Sequence, residues 1–410
     1  MMTLKTCILC HSSLSGSFLD LGKLPLCNGF VLQTELACST YSLMLAECPQ
    51  CSLIQLLDPP PVEELIPRFP WIRYNEPDGH LEAVSLQLQS YLSPLARIYG
   101  VGPFDQPLLN QLSAHGYDGE MLDLLSLGSK ATIDRYPYLE TLQACLQPPL
   151  LQELAHRKGQ SQLVICRYLL EHCRDPLIAL DSLRPLLAEN GLALIEVPDS
   201  SKFLNNKDYS FIWEEHTCYF TPESLTHLFQ RAHYELLSLM KFEGQLEDAL
   251  VAIVQPLQKA FRKLPFLESK NSSLFSAYRN AFSTIRHAWQ ENLAAVYARK
   301  DKVALFGAGH QAIMFVNTFG LDGLVSYLVD DDIKKQAYFT PGFHLPIVAS
   351  EKLLADDKID TCLLAVNPRI ENKILEKCQT LLQRGGKIYS IFTGSHLKPS
   401  WIGEKMLCSL

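Results

Sequence analysis

Apolar residues along this chain gather into short, nearly unbroken runs with polar and amphipathic stretches between them. Such runs read as buried strands of an α/β protein. Leu192–Val197, Val303–Phe306, Leu324–Val329, Thr361–Val366 and Lys387–Ile391 are the clearest. A different period holds between Gln255 and Lys302. There Leu274, Tyr278, Phe282, Ile285, Trp289 and Leu293 recur at steps of three and four, one apolar face of a long helix that serves packing. A helix is expected over about His80–Tyr99, and another starts near Pro222 and Glu223. Glycine-containing turns, Gly100–Gln106 and Gly307–Ala312, open two further helical stretches.

One connection breaks the apolar pattern with concentrated chemistry. Ile212-Trp213-Glu214-Glu215-His216-Thr217-Cys218-Tyr219-Phe220-Thr221-Pro222 follows the Leu192–Val197 strand and precedes an amphipathic helix. Ligands of open α/β sheets bind outside the carboxyl ends of the strands. His216, flanked by Glu215, Trp213 and Tyr219, therefore reads as a general base held by a carboxylate and walled by rings. The plainer reading has both glutamates solvated and His216 capping a turn.

Composition narrows the setting. With 410 residues the chain can form two or three domains, and its apolar content supplies ordinary cores. A net charge of −8 without a dense basic stripe argues against nucleic acid or an anionic membrane as partner. Neither a signal peptide nor an apolar run long enough to span a bilayer is visible, which makes a cytoplasmic protein the expectation. Six of the 13 cysteines fall within the first 51 residues, and clustered cytosolic thiols suggest metal rather than disulfides. Cys7-x-x-Cys10 and Cys48-x-x-Cys51, separated by 37 residues, can close a structural four-cysteine zinc site. Cys27 and Cys38 lack paired spacing and read as bystanders.

The zinc knuckles sit in a longer pattern. Leu19-Asp20-Leu21-Gly22-x-x-Pro25-Leu26-x-Asn28-x-Phe30, Tyr41-x-Leu43-x-Leu45 and Leu53-x-Gln55-Leu56 accompany them. Together they resemble the zinc-binding entry domain of the three-domain, S-adenosylmethionine-dependent sugar C-methyltransferases. That resemblance implies a zinc-binding domain (1–68), a class I methyltransferase-like Rossmann domain (69–256), and a long helix with a C-terminal Rossmann-like domain (257–410).

The middle domain carries the family's marks unevenly. In the linker, the resemblance assigns Tyr74 and His80 to the substrate pocket, with Phe69 and Trp71 standing where the family often has tyrosines. The family's cofactor turn, roughly Glu-Ile-Gly-Ser-Asn-Asp-Gly, aligns with Gly100-Val101-Gly102-Pro103-Phe104-Asp105-Gln106. Gly102 and Asp105 match; Gly100 replaces the acid and Gln106 the second glycine. Asp123 is the candidate for the ribose hydroxyls, with Asp118 second. Leu169-Leu170-Glu171-His172 resembles the motif after the fourth strand, which makes His172 the second active-site histidine. The Ile212 stretch parallels Ile-Tyr-His-Glu-His-x-x-Tyr-Phe, so Glu215 and His216 match the catalytic pair while Trp213 and Glu214 replace Tyr and His.

At the C-terminal end, Gly307-Ala308-Gly309-His310-Gln311-Ala312 reads as G-x-G-x-x-A, followed by a strand that ends at Asp330. Alone, this is a dinucleotide-type signature. In the resembling family the same unit helps hold a nucleotide-sugar, which implicates Gly307, Gly309, His310 and Asp330. The implied reaction methylates a carbon α to a ketone on a nucleotide-linked deoxysugar. His216 oriented by Glu215 would act as base, with His172 or Tyr219 stabilising the enolate oxygen. Two alternatives stand beside it: a nucleotide- or NAD-binding protein working through Gly307–Ala312, and a relative that has lost methyl transfer.

Overall fold

The computed structural model of the protein describes residues 5–14, 18–33, 37–69, 71–72, 76–127, 139–257 and 272–402. Three sheets organise them. The first is antiparallel: β1 (Phe18–Pro25), β2 (Thr40–Glu47) and β3 (Ile54–Leu57), with β8 (Cys218–Tyr219) added to its edge. The second has the order β5 (Asp118–Met121), β4 (Arg97–Gly100), β6 (Ser161–Arg167), β7 (Leu187–Asp199), β10 (Asp248–Pro256), β9 (Tyr234–Phe242). Its first four strands run parallel, and β10 is antiparallel to both neighbours. The third is parallel throughout: β13 (Ile347–Val348), β12 (Tyr327–Val329), β11 (Lys302–Phe306), β14 (Ile359–Leu364), β15 (Lys387–Ser390). In that sheet β12 and β14 flank β11 on opposite sides, so the strand order reverses at its carboxyl end, where such sheets take ligands.

The expected helix over His80–Tyr99 is shorter, Leu81–Gln89. Pro94 has no N–H to give, Leu95 takes a φ of 61°, and the chain then enters β4. Pro222–Arg231 begins where expected, because Thr221 caps it by accepting from Ser224 N and Pro222 fills a position that needs no donor. The helix Ser272–Ala298 buries Tyr278, Phe282, Ile285, Trp289 and Leu293 along one stripe. That stripe joins one apolar core with Leu45 and Ile54 of the first sheet, Ile212 and Tyr219 of the loop, and Leu305 and Phe315 of the third unit.

The four paired cysteines converge. Cys7 Sγ and Cys51 Sγ lie 3.6 Å apart, and Cys10 Sγ and Cys48 Sγ 3.4 Å. With metal–sulfur bonds of about 2.3 Å, a tetrahedral thiolate site has sulfur–sulfur edges of about 3.8 Å, so the cluster fits zinc with little adjustment. The amides of Leu9 and Gln50 point at the Cys7 and Cys48 sulfurs, each at 3.4 Å. Cys27 and Cys38 stand outside the cluster, Cys27 beside Glu214 and Cys38 near His344.

A second tie braces the middle sheet. Arg167, fully buried at the end of β6, donates to Glu196 on β7 and to Phe104 O of the Gly100–Gln106 turn. It also reaches Pro77 O at 3.1 Å and Asp78 Oδ1 at 3.2 Å in the linker. Burial would raise the Glu196 carboxyl, but the hydrogen bond to His80 and the charge of Arg167 hold it below the usual carboxylate range.

Two outcomes are expected. Cys48→Ser should lower the metal content by one equivalent and destabilise the N-terminal sheet, measured by elemental analysis and thermal melting; a variant with unchanged metal content would exclude the four-cysteine site. Arg167→Ala leaves Glu196 buried without its cation and should cost about 3–5 kcal/mol in denaturant unfolding.

Candidate functional site

The Ile212–Pro222 loop is fixed at both ends. Ile54 pairs with Tyr219 and Gln55 with Cys218. Thr217 Oγ1 donates to Cys173 O at 2.6 Å, and Thr217 N to Glu171 O at 2.9 Å. These bonds bring the loop against Leu170-Glu171-His172, a single 3-10 turn; the α-helix proper starts only at Pro176, capped by Asp175. His172 and His216 meet edge to face with ring centres 4.7 Å apart, and ligand-capable atoms of Glu171, His172 and His216 all lie within 4.8 Å of one another.

Burial sets the protonation of this group. His216 is pushed down to about 3 and His172 well below the ordinary histidine range, so both imidazoles are neutral. Burial moves Glu171 the other way, and the nearby carboxylates add to it, so its carboxyl stays protonated. Neither Glu171 Oε2 nor His172 Nδ1 has a hydrogen-bond partner among the described residues. The Tyr219 hydroxyl donates to Trp213 O and accepts from Trp213 N, both at 2.8 Å. It holds the loop's backbone and has no proton left to give elsewhere.

Trp213 links the histidines to the third unit. Its ring stacks on His216 at 5.3 Å and on His310 at 3.9 Å. Beside it opens a cleft of about 150 Å³ lined by Cys27, Phe30, Trp71, Glu215, Gly309 and Lys335, among others. Glu215 thus faces the cleft, while Glu214 accepts from Cys27 N. His80 is turned elsewhere, with Nε2 2.8 Å from Glu196 Oε1 and its ring stacked on Phe242. Tyr74 lies outside the described residues.

Both glycine turns are closed by an acid. In the first, Asp105 Oδ2 accepts from Val101 N at 2.8 Å and Gly102 N at 2.7 Å, and Oδ1 accepts from Arg167 N at 2.9 Å. Gly100 is required by packing: a Cβ there would meet Met121 Sδ at 2.5 Å and Leu109 at 2.9 Å. Gly102 has an ordinary extended backbone, and a Cβ built there would pack at ordinary contact distance on Arg167 O at 3.5 Å, Asp105 Oδ2 at 3.7 Å and Leu169 at 3.8 Å. Asp123 is exposed two residues beyond β5, whereas Asp118 opens that strand and pairs with Arg97.

In the second turn, Gly307 has φ 104° and a Cβ would strike Ala365 O at 2.5 Å, so only glycine fits. Asp330 Oδ2 accepts from Ala308 N at 3.1 Å and from Lys335 Nζ at 2.7 Å. Gly309 meets nothing within 4 Å and opens the helix His310–Phe319.

Sequence reasoning placed His172, Glu215, His216, Gly309 and His310 around one region but missed Glu171, Glu214 and Arg167 as participants. Glu171 was visible inside Leu-Glu-His. Arg167 carried no signal, because an arginine ending an apolar strand reads as a surface residue.

Three protein families match in order along the chain: a zinc binding domain over residues 7–65, a methyltransferase domain over 91–239, and the C-methyltransferase C-terminal domain over 254–392. The C-methyltransferase NovU of Streptomyces niveus is 25% identical over 260 residues. The match spans 61% of this chain and 61% of NovU, less than two thirds of that relative's length. Among solved structures, a Burkholderia thailandensis 1,6-didemethyltoxoflavin-N1-methyltransferase is 16% identical with a TM-score of 0.30, covering 44% of this chain and 79% of that one. An Anabaena variabilis S-adenosylmethionine-dependent methyltransferase is 15% identical with a TM-score of 0.28, covering 44% and 86%. The successive domain matches and the four-cysteine cluster make this chain similar, domain by domain, to zinc-containing C-methyltransferases.

Proposed function

We propose that the protein transfers a methyl group from S-adenosylmethionine to a carbon α to a ketone, on a nucleotide-linked deoxysugar. One observation carries the reading: neutral imidazoles lie against a protonated carboxyl, in a loop beside an interdomain cleft. Adjacent groups whose environments push their protonation apart divide into base and acid. His216 would take the α-proton on its neutral ring, and His172 would steady the enolate oxygen. Glu171, keeping its proton, would support the imidazolium that forms through the lone pairs of its carboxyl oxygens. Tyr219 positions the loop.

When bound, S-adenosylmethionine supplies an electrophilic methyl on a sulfonium. The exposed Asp123 beyond β5 fits it. Asp105 already satisfies the Val101 and Gly102 amides, so holding the cofactor would fall mainly to Asp123 and to shape. For the acceptor, Lys335 and the helix beginning at His310 border the cleft and suit a phosphate. A nicotinamide dinucleotide is less well served, because Lys335 already neutralises the acid that would hold its ribose.

Gly102→Val should retain zinc and fold while losing S-adenosylmethionine binding in a calorimetric titration, as a branched side chain blocks the backbone's approach to the cofactor. Wild-type protein with no affinity at millimolar cofactor would instead favour a relative without methyl transfer, the reading that Asp105's occupation of the turn supports.

His216→Ala should lose on the order of a hundredfold or more in turnover with ligand binding nearly intact. Deuterium wash-out at the α-carbon reads the same step, and wash-out unchanged in the variant would move the base to His172. Stability adds a check on the neutral ring. A histidine lowered to about 3 when folded binds no proton there while the unfolded chain does below about 6.5, so its contribution is lost as pH falls from 6.5 toward 3. His216→Asn should therefore gain in Tm relative to wild type across that window and not above it.

A further inference from the structure

We infer that Cys27, Glu214 and His310 form a second metal site, separate from the four-cysteine cluster, which binds a divalent zinc-class ion with one coordination position open to the interdomain cleft. The three come from the turn after β1, the Ile212–Pro222 loop and the first residue of the helix His310–Phe319. Their ligand atoms all lie within 4.8 Å of one another, and Glu214 Oε2 is 3.6 Å from His310 Nε2. A tetrahedral ion with bonds of about 2.0–2.3 Å needs ligand atoms roughly 3.3–3.8 Å apart, so closure asks for movements of about 1 Å. Thiolate, imidazole and carboxylate together suit zinc or cobalt rather than magnesium or calcium.

One of the three is left unsatisfied without an ion: His310 Nε2 is buried and has no hydrogen-bond partner among the described residues. Cys27 and Glu214 are each 4% exposed, and His310 is the only ion-pair partner of Glu214 among the described residues. Burial raises the Cys27 thiol and the Glu214 carboxyl and lowers His310 to about 3, so the thiol keeps its proton and the imidazole is neutral. An entering divalent ion displaces the thiol proton to solvent. Its two charges are balanced by the thiolate and carboxylate, and His310 gives a lone pair. The filled site is neutral, which suits a buried location.

Cys27 and His310 both line the cleft, so the fourth position faces the space where an acceptor would lie. Three protein ligands with an open position is the arrangement of a reactive ion rather than a structural one, and it would take water or a substrate oxygen. Glu214 stands where the resembling family's pattern has histidine, and it supplies the carboxylate that neutralises the ion.

The test is metal stoichiometry of the full chain, stripped by mild chelation and titrated with cobalt(II), followed by visible absorption and elemental analysis. Wild type should take up about two equivalents, with a thiolate-to-cobalt absorption for each site. Cys27→Ala and His310→Ala should each lose one equivalent, while Cys48→Ser loses the other. Glu214→Gln, which preserves shape, covers the case in which Cys27→Ala does not fold, and it should weaken the second equivalent at least tenfold. A wild type that saturates at one equivalent overturns the site, as does a second equivalent that persists in all three cleft variants. Neither result bears on methyl transfer, which is read by turnover.

Discussion

The pairing of Ile54 and Gln55 with Tyr219 and Cys218 is the contact on which the rest depends. It is only two residues long, yet it makes a loop of the middle domain the edge strand of the zinc-bearing sheet. The four-cysteine cluster fixes β2 and β3 at their junction, since Cys48 and Cys51 lie in the turn between them. Helix Pro222–Arg231 repeats the connection, with His227 Nδ1 2.9 Å from Cys51 O. A metal with no open position thereby holds in register the loop that carries Trp213, Glu214, Glu215 and His216. A short strand would not stay paired alone, and the shared apolar core excludes water from the joint.

Protonation at the site follows from that exclusion. His216 and His310 stack on Trp213 and His172 meets His216 edge to face, in a region where burial forbids three positive charges. Burial withholds the negative charge of Glu171 for the same reason and raises the Glu214 carboxyl. The result is a cluster of acids and bases that gains by exchanging protons with a substrate or by receiving a cation.

The two glycine turns have converged on one solution. In each, an aspartate on the same unit accepts from the turn's own amides, Asp105 in the first and Asp330 in the second. Free amides aimed at a ligand would be costly while no ligand is present, and the internal acid removes that cost. Binding must then rely on side chains at the rim. The substitutions that made the first turn look degenerate become intelligible here: Gly100 is demanded by Met121 and Leu109, whatever the ligand.

Much of this was decided by the sequence alone. Spacing of Cys7, Cys10, Cys48 and Cys51 defines a metal site because each knuckle is local, and apolar runs locate strands because burial on both faces leaves no room for polar residues. The stripe from Tyr278 to Leu293 and the cap at Thr221 are equally local facts. Tertiary structure alone decided which side chains met. Nothing near Cys27 in sequence points to Glu214 or His310, which lie 187 and 283 residues further along the chain. Equally, no local rule makes Arg167 a buried brace, turns Tyr219 back onto its own loop, or sets Glu171 beside His216. Those outcomes depend on a two-residue strand pairing and on the closing of a shared core, and such contacts leave no periodic trace in the chain.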